Sequence, residues 1–134
     1  MAQDIRHWTF KPSDGVPEPV APYSHAVSFG DVTYITGQVP IDPVSDQVVV
    51  GGIAVQTHQV MANLKHVLAG VGSSLDRTLF VRVYLSSMDL YEEFNRVYVS
   101  YFEDKLPART CVSVSGMARN VDLEIDMIVA NQLS

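Results

Sequence analysis

Five short runs of the chain are rich in β-branched and aromatic residues or alternate apolar with polar positions, and both patterns are typical of β-strands. The predicted strands are residues 26–29, 32–36, 78–85, 109–115 and 121–130. Gly30 and Asp31 separate the first two strands, so these two are expected to form a hairpin. Residues 11–24 carry four prolines, each without a backbone donor, and residues 40–52 show no period; both stretches are predicted to be loops.

Two other stretches repeat their apolar residues every three or four positions, which is the spacing of one helical face. The first covers residues 60–71 and is followed by Gly72, a typical residue at a helix C-terminus. The second begins near Asp89 and must end before Pro107. The predicted order is β-β-α-β-α-β-β. This order indicates one α+β domain over residues 1–134, with a mixed sheet and both helices packed on one face.

Composition and charge narrow the possible partners. The net charge of −6 works against nucleic acid, because such binding depends on Lys and Arg that neutralise phosphates. No run approaches the roughly 18 apolar residues that span a bilayer, and the N-terminus lacks the basic and apolar parts of a signal peptide, so a cytoplasmic protein is expected. Cys111 is the only cysteine, and the four histidines show no metal-binding spacing. Neither a metal nor a cofactor is predicted.

The last two predicted strands combine several reactive side chains on their polar sides. If residues 116–119 form a four-residue hairpin loop, Cys111 lies opposite Glu124 and Arg109 lies opposite Asp126. Directly opposed residues have Cβ atoms about 4.5–5.5 Å apart, so these groups would form one patch. Two interpretations remain open from the pattern. Either the patch is a solvated face with an ordinary ion pair, or another subunit covers it and Arg109 awaits an anionic ligand in the cleft.

Five segments resemble the successive signatures of the RidA (YjgF) family of small deaminases. They are residues 21–27 (APYSHAV), 34–43 (YITGQVPIDP), 56–64 (QTHQVMANL), 94–98 (FNRVY) and 107–112 (PARTCV). They occur in the family's order and spacing, and with Glu124 they cover nearly the whole chain from about residue 20. The resemblance implies a chorismate-mutase-like fold that closes into a homotrimer, with three ligand sites in the clefts between subunits.

The resemblance also implies roles for individual residues. The arginine of the PARTCV segment, here Arg109, is expected to hold the substrate carboxylate, and Glu124 is expected to hold or activate a water molecule. The other substrate-binding residues that it implies are Tyr23, Gly37, Asn95 and Cys111. The implied reaction is the hydrolysis of 2-imino acids, such as 2-iminopropanoate and 2-iminobutanoate, to 2-keto acids and ammonia. Arginine suits this role because its planar fork binds a carboxylate through two hydrogen bonds.

Two departures from the family pattern leave the substrate open. His25 stands where the family more often has glutamine, and residues 116–120 (GMARN) replace a turn that usually contains proline, lysine and glycine. Arg119 is a candidate replacement for that lysine. Three functions therefore stay open. They are a deaminase of small 2-imino acids, a dedicated deaminase of an aminoacrylate- or aminomuconate-like enamine, and a third class that comprises a ligand-binding or regulatory trimer without turnover and an RNA-directed activity, which the net charge disfavours.

Overall fold

The computed structural model describes residues 4–132, which form eight strands, two helices and short 3₁₀ turns. In chain order the strands and helices are β1 (Ile5–Trp8), β2 (Ala26–Phe29), β3 (Val32–Gln38), β4 (Ile41–Asp42), β5 (Gln47–Val48), α1 (Ile53–Gly70), β6 (Thr78–Leu85), α2 (Tyr91–Val99), β7 (Ala108–Ser113) and β8 (Leu123–Ala130). Six strands make one sheet in the order β1-β2-β3-β8-β6-β7. Its neighbours are antiparallel except for β6 and β7, which are parallel.

The predicted α+β class is confirmed, with a mixed sheet that carries both helices on one face. Every predicted helix and strand is present. Gly72 has the left-handed backbone (φ 76°) expected of a residue that ends a helix. The sequence did not indicate β1, because its residues IRHW have no apolar alternation. It also did not indicate the β4–β5 hairpin, whose two strands of two residues each are too short for a periodic signal.

One hydrophobic core lies between the sheet and the helices. The largest contribution of α1 comes from five side chains that are at most 1% exposed: Val60, Met61, Leu64, Val67 and Leu68. Strand β8 supplies every second residue of its length, also at most 1% exposed: Leu123, Ile125, Met127 and Val129. Each such side chain contributes about 1.5–3 kcal/mol relative to an exposed one. The alternation predicted for β8 is therefore the feature that anchors the middle of the sheet.

The predicted hairpin between the last two strands is wrong. Strand β6 lies between β7 and β8, so Cys111 aligns with Val83 and Glu124 aligns with Tyr84. The chain leaves β6, passes through α2 and returns as β7, and a connection of this kind makes its two strands parallel neighbours. Residues 114–122 then lead from β7 past β6 to β8, a path that a tight turn cannot make.

The predicted pairing of Arg109 with Asp126 is wrong for the same reason. Arg109 aligns with Val81, whose side chain is fully buried beneath the helices. Aligned residues of neighbouring strands point to the same face, so Arg109 and Cys111 point to the side that the helices cover, which we call the helix face. Glu124 and Asp126 alternate with the buried residues of β8 and point to the opposite side, which we call the outer face.

Candidate active site

Arg109 lies on the edge strand β7, with its guanidinium group above the aromatic side chains of α2. Its Cζ atom is 5.0 Å from the ring centroid of Tyr98 and 5.7 Å from the centroids of Tyr91 and Phe94. Distances below about 6 Å allow a cation–π attraction. Its Nη2 atom also donates a hydrogen bond of 3.2 Å to the Tyr91 hydroxyl. No carboxylate in the described part of the chain forms an ion pair with this guanidinium, so its charge is available to an anion.

A cavity of about 280 Å³ opens beside Arg109, between the end of α2 and the start of β7. Its lining residues are Asn95, Tyr98, Val99, Leu106, Pro107 and Arg109. Asn95, a predicted substrate-binding residue, thus lies next to Arg109. Two buried oxygens, Asn95 Oδ1 and the Tyr98 hydroxyl, have no hydrogen-bond partner among the described residues. Burial raises the pKa of Tyr98 to about 12, against the opposing effect of the Arg109 charge, and the hydroxyl therefore keeps its proton.

Cys111 follows Arg109 on the same face of β7 and is half-buried against the core. Burial raises the pKa of its thiol, although the neighbouring charge of Arg109 acts in the opposite direction. Because the thiolate is the nucleophilic form of cysteine, a raised pKa disfavours covalent catalysis. This environment favours the expectation that Cys111 lines the site as a neutral thiol.

Glu124 is half-buried on the outer face, where β8 runs beside Gly37 of β3. A Cβ atom on Gly37 would lie 2.9 Å from Glu124 Cδ and 3.1 Å from its Cγ, so a side chain at this position would have to displace the Glu124 carboxylate. Burial raises the pKa of Glu124, and the negative charge of Asp126 raises it further. Tyr23 and Gly37 line the same shallow depression of the outer face, and the Tyr23 hydroxyl accepts a 3.1 Å hydrogen bond from the Val20 amide.

A second polar group on the outer face was not predicted. Arg82 Nε donates a 2.8 Å hydrogen bond to Asp126 in an ion pair, and the Tyr84 hydroxyl donates to the other oxygen of Asp126 at 3.3 Å. Tyr84 also stands directly opposite Glu124 in the register. The sequence did contain a sign of this group, because the side of β6 that faces away from the core carries an arginine and a tyrosine.

The six predicted site residues form two groups that the sheet separates. The helix-face group consists of Asn95, Arg109 and Cys111, and the outer-face group consists of Tyr23, Gly37 and Glu124. Strands β7 and β8 are two strand spacings apart, or about 10 Å, and the side chains of the two groups point in opposite directions. A single subunit therefore does not bring Arg109 and Glu124 to the same ligand.

The residues that depart from the family pattern have structural contacts. His25 is 1% exposed; its Nδ1 accepts a 2.9 Å hydrogen bond from the Phe10 amide, and its Nε2 donates to the Pro17 carbonyl at 2.9 Å. The ring thus connects two loop segments and has no capacity left for a substrate. Arg119 has a left-handed backbone (φ 65°) and donates a 2.9 Å hydrogen bond to the Asp46 carbonyl, which directs its side chain towards the β4–β5 turn.

Within residues 4–132, no group of three or more His, Cys, Asp or Glu side chains is placed to hold a metal ion. Neither helix of this part of the chain combines the length and apolarity required to cross a bilayer.

The fold agrees with comparisons to known proteins. The family model described as Endoribonuclease L-PSP matches residues 14–131, and the chain belongs to this family, also called the RidA (YjgF) family. The predicted family is thus confirmed. A RutC family protein of Sulfurisphaera tokodaii is 41% identical over 116 residues, which cover 87% of this chain and 93% of the relative.

Other similar proteins include one named deaminase and several proteins of known structure. The 3-aminoacrylate deaminase RutC of Acinetobacter baylyi is 37% identical over 112 residues, covering 84% of this chain and 89% of the relative. The crystal structure of yeast Mmf1 has a TM-score of 0.89 and 35% identity, covering 96% of this chain and all of the other. RidA from an Antarctic Psychrobacter has a TM-score of 0.87 and 30% identity, covering 93% of this chain and 99% of the other.

Proposed function

We propose that this protein hydrolyses 2-imino acids, such as 2-iminopropanoate and 2-iminobutanoate, to 2-keto acids and ammonia, at three sites between the subunits of a homotrimer. The observation that carries the proposal is the unpaired Arg109 guanidinium on its aromatic support. A fixed guanidinium without a carboxylate partner suits a ligand that brings its own carboxylate. Membership of a family that includes a named 3-aminoacrylate deaminase supports imine or enamine deamination as the reaction class.

The proposed chemistry needs one group that transfers protons near neutral pH. Glu124 suits this role because burial and the charge of Asp126 both raise the pKa of its carboxyl group towards the working range. In the proposed reaction Glu124 takes a proton from water as the oxygen attacks the imine carbon. That proton passes to the imine nitrogen and gives a carbinolamine. The carbinolamine hydroxyl then loses its proton, which Glu124 relays to the amino group, so that the carbon–nitrogen bond breaks and ammonia leaves as the carbonyl of the 2-keto acid forms.

The proposed trimer accounts for the separation of Arg109 from Glu124. In a closed ring, each subunit uses two different surfaces, one towards each neighbour. If the outer face of one subunit packs against the β7 edge of the next, Glu124, Gly37 and Tyr23 of the first meet Arg109 and its neighbours of the second. The outer face is suited to such burial because its middle row is apolar, with Tyr34, Ile128 and Phe80 side by side. Tyr34 is 51% exposed in the single chain.

A dedicated 3-aminoacrylate-type enamine deaminase is the second candidate, and the RutC relative favours it. The two candidates share Arg109 and Glu124 and differ in substrate. Turnover of imines made in situ by an amino-acid oxidase, measured as the loss of semicarbazone trapping, separates them. Activity on the imines of alanine and 2-aminobutanoate supports the first candidate, and ammonia release from 3-aminoacrylate without activity on these imines supports the second.

Mixed trimers test the shared site directly. Arg109→Ala and Glu124→Ala subunits should each be inactive when expressed alone. When the two are co-expressed, every mixed trimer contains one interface with an intact Arg109 and an intact Glu124. With equal random mixing, about three quarters of trimers are mixed and about one third of their sites are intact, so about one quarter of wild-type activity should return. Activity that stays at the level of the single variants would contradict a site shared between subunits.

A further inference from the structure

The cavity beside Arg109 has an unusual composition for a carboxylate site. Arg109 is its only charged residue, and Val99, Leu106 and Pro107 make its walls. Val99 and Leu106 are 48% and 63% exposed, so two aliphatic side chains face the opening instead of the core. The Tyr98 ring lies beneath the guanidinium and is 5% exposed. One cation thus stands at the border of an apolar cleft.

This combination selects among the acids that Arg109 could hold. A single guanidinium binds one carboxylate, and a second carboxylate in the cleft would contact Val99 and Leu106 without a donor, which is costly for a charged group. An acid without an aliphatic side chain, such as 3-aminoacrylate, would leave the aliphatic walls uncovered. An acid with an aliphatic side chain would cover these walls and gain from the removal of apolar surface from water.

We infer that the cleft formed by Val99, Leu106 and Pro107 binds the side chain of a monocarboxylate substrate whose carboxylate lies on Arg109. The preferred substrates are then 2-imino acids with aliphatic side chains of about three or four carbons, a size for which a cavity of about 280 Å³ has room. The reaction named here rests on the proposed function, whereas the selection of the acid by its side chain does not.

The test measures binding of stable 2-keto acids, so that it does not depend on turnover. Calorimetric titration of the wild-type protein compares pyruvate, 2-oxopentanoate, 4-methyl-2-oxopentanoate and 2-oxoglutarate. Each fully buried methylene strengthens binding about fourfold, and a half-open cleft covers about half of the three added carbons, so 4-methyl-2-oxopentanoate should bind about tenfold more tightly than pyruvate. The second carboxylate of 2-oxoglutarate should remove this gain.

A variant in the cleft gives the matched comparison. Val99→Trp fills the opening, so 4-methyl-2-oxopentanoate should lose its advantage in affinity over pyruvate. Val55→Trp is the control, because Val55 is also a helical valine and is 41% exposed, but it lies on α1 outside the cleft. This control should keep the full tenfold range. Val99→Thr, which preserves the shape of the side chain, should reduce the range without filling the cleft.

The outcomes separate the cleft from the reaction. Equal affinities across the wild-type series, or tightest binding of 2-oxoglutarate, would overturn the inference. Graded binding that Val99→Trp abolishes would support it even if no imine were hydrolysed, a result that would count against the proposed reaction alone. Imine hydrolysis together with equal affinities would leave the reaction in place and remove the cleft as its selector.

Discussion

The hydrogen bond between Tyr91 and Arg109 can be removed without disturbing the ring beneath the guanidinium. Tyr91→Phe deletes only the hydroxyl that accepts from Arg109 Nη2 at 3.2 Å. Because this bond is long and only partly buried, we expect its loss to cost about 1 kcal/mol, which is less than the roughly 1.5–3 kcal/mol usual for a hydrogen bond to a charged group. Such a loss weakens binding about fivefold. Since Arg109 would hold the carboxylate equally in the ground and transition states, KM should rise about fivefold and kcat should change little.

Tyr98→Phe provides the internal comparison. Its ring lies 5.0 Å from Arg109 Cζ, closer than that of Tyr91, but its buried hydroxyl has no partner among the described residues. Removing an unsatisfied buried hydroxyl should raise stability by about 1 kcal/mol and leave KM unchanged. Tyr101→Phe is the second control, because the Tyr101 hydroxyl pairs with His58 Nδ1 at 2.6 Å and does not contact Arg109. This variant should keep normal turnover.

The test measures steady-state kinetics on imines generated in situ and the melting temperature for each of the three variants. The predicted pattern is a raised KM for Tyr91→Phe alone and a raised Tm for Tyr98→Phe alone. A similar rise of KM in both variants would mean that the two hydroxyls are equivalent to the ligand. The reasoning about the Tyr91 hydrogen bond would then be refuted.

Four further substitutions follow from the site. Arg109→Lys keeps the charge but loses the two-pronged carboxylate contact, so kcat/KM should fall at least about 100-fold with an unchanged Tm. Glu124→Gln should lower kcat far more than it changes KM, and it should raise Tm at pH 7. A raised folded pKa means that the buried charge destabilises the fold above that pKa, so this gain should disappear in melts below pH 4.5, the ordinary pKa of the group. Gly37→Ala displaces the Glu124 carboxylate and should lower kcat while the protein still folds. Tyr34→Asp should give inactive monomers by size-exclusion chromatography with light scattering, whereas Val44→Asp, at a 92% exposed turn position, should remain trimeric.

Local patterns in the sequence were sufficient to predict the main helices and strands and the sides of them that face the core. The alternation along residues 121–130 correctly separated the buried side of β8 from the side that carries Glu124. The helical period correctly placed Phe94 and Tyr98 on the buried side of α2. These features are predictable because each depends on the contact of one element with the core, and that contact is recorded in the spacing of its own apolar residues.

The strand order was not predictable from the same patterns, because periodicity says which side of a strand is buried but not which strand is its neighbour. The missed signal was the connection from β6 through α2 to β7. A strand, a helix and a second strand in succession favour parallel neighbours with a right-handed crossover. Applying that rule would have paired β7 with β6 and left β8 to pair elsewhere. The predicted contact between Cys111 and Glu124 failed at this step, and only the family resemblance is left as a reason to name both residues.

The true strand order explains why Arg109 has no carboxylate partner among residues 4–132 of its own chain. Arg82 and Asp126 stand opposite each other on neighbouring strands and the same face, and they form an ion pair at 2.8 Å. Had Arg109 and Glu124 been neighbours in a hairpin, the same geometry would have let them neutralise each other. The sheet instead directs Arg109 to the helix face and Glu124 to the outer face. The described residues thus leave Arg109 without a carboxylate partner and give Glu124 a raised pKa, which is what the proposed site between two subunits requires.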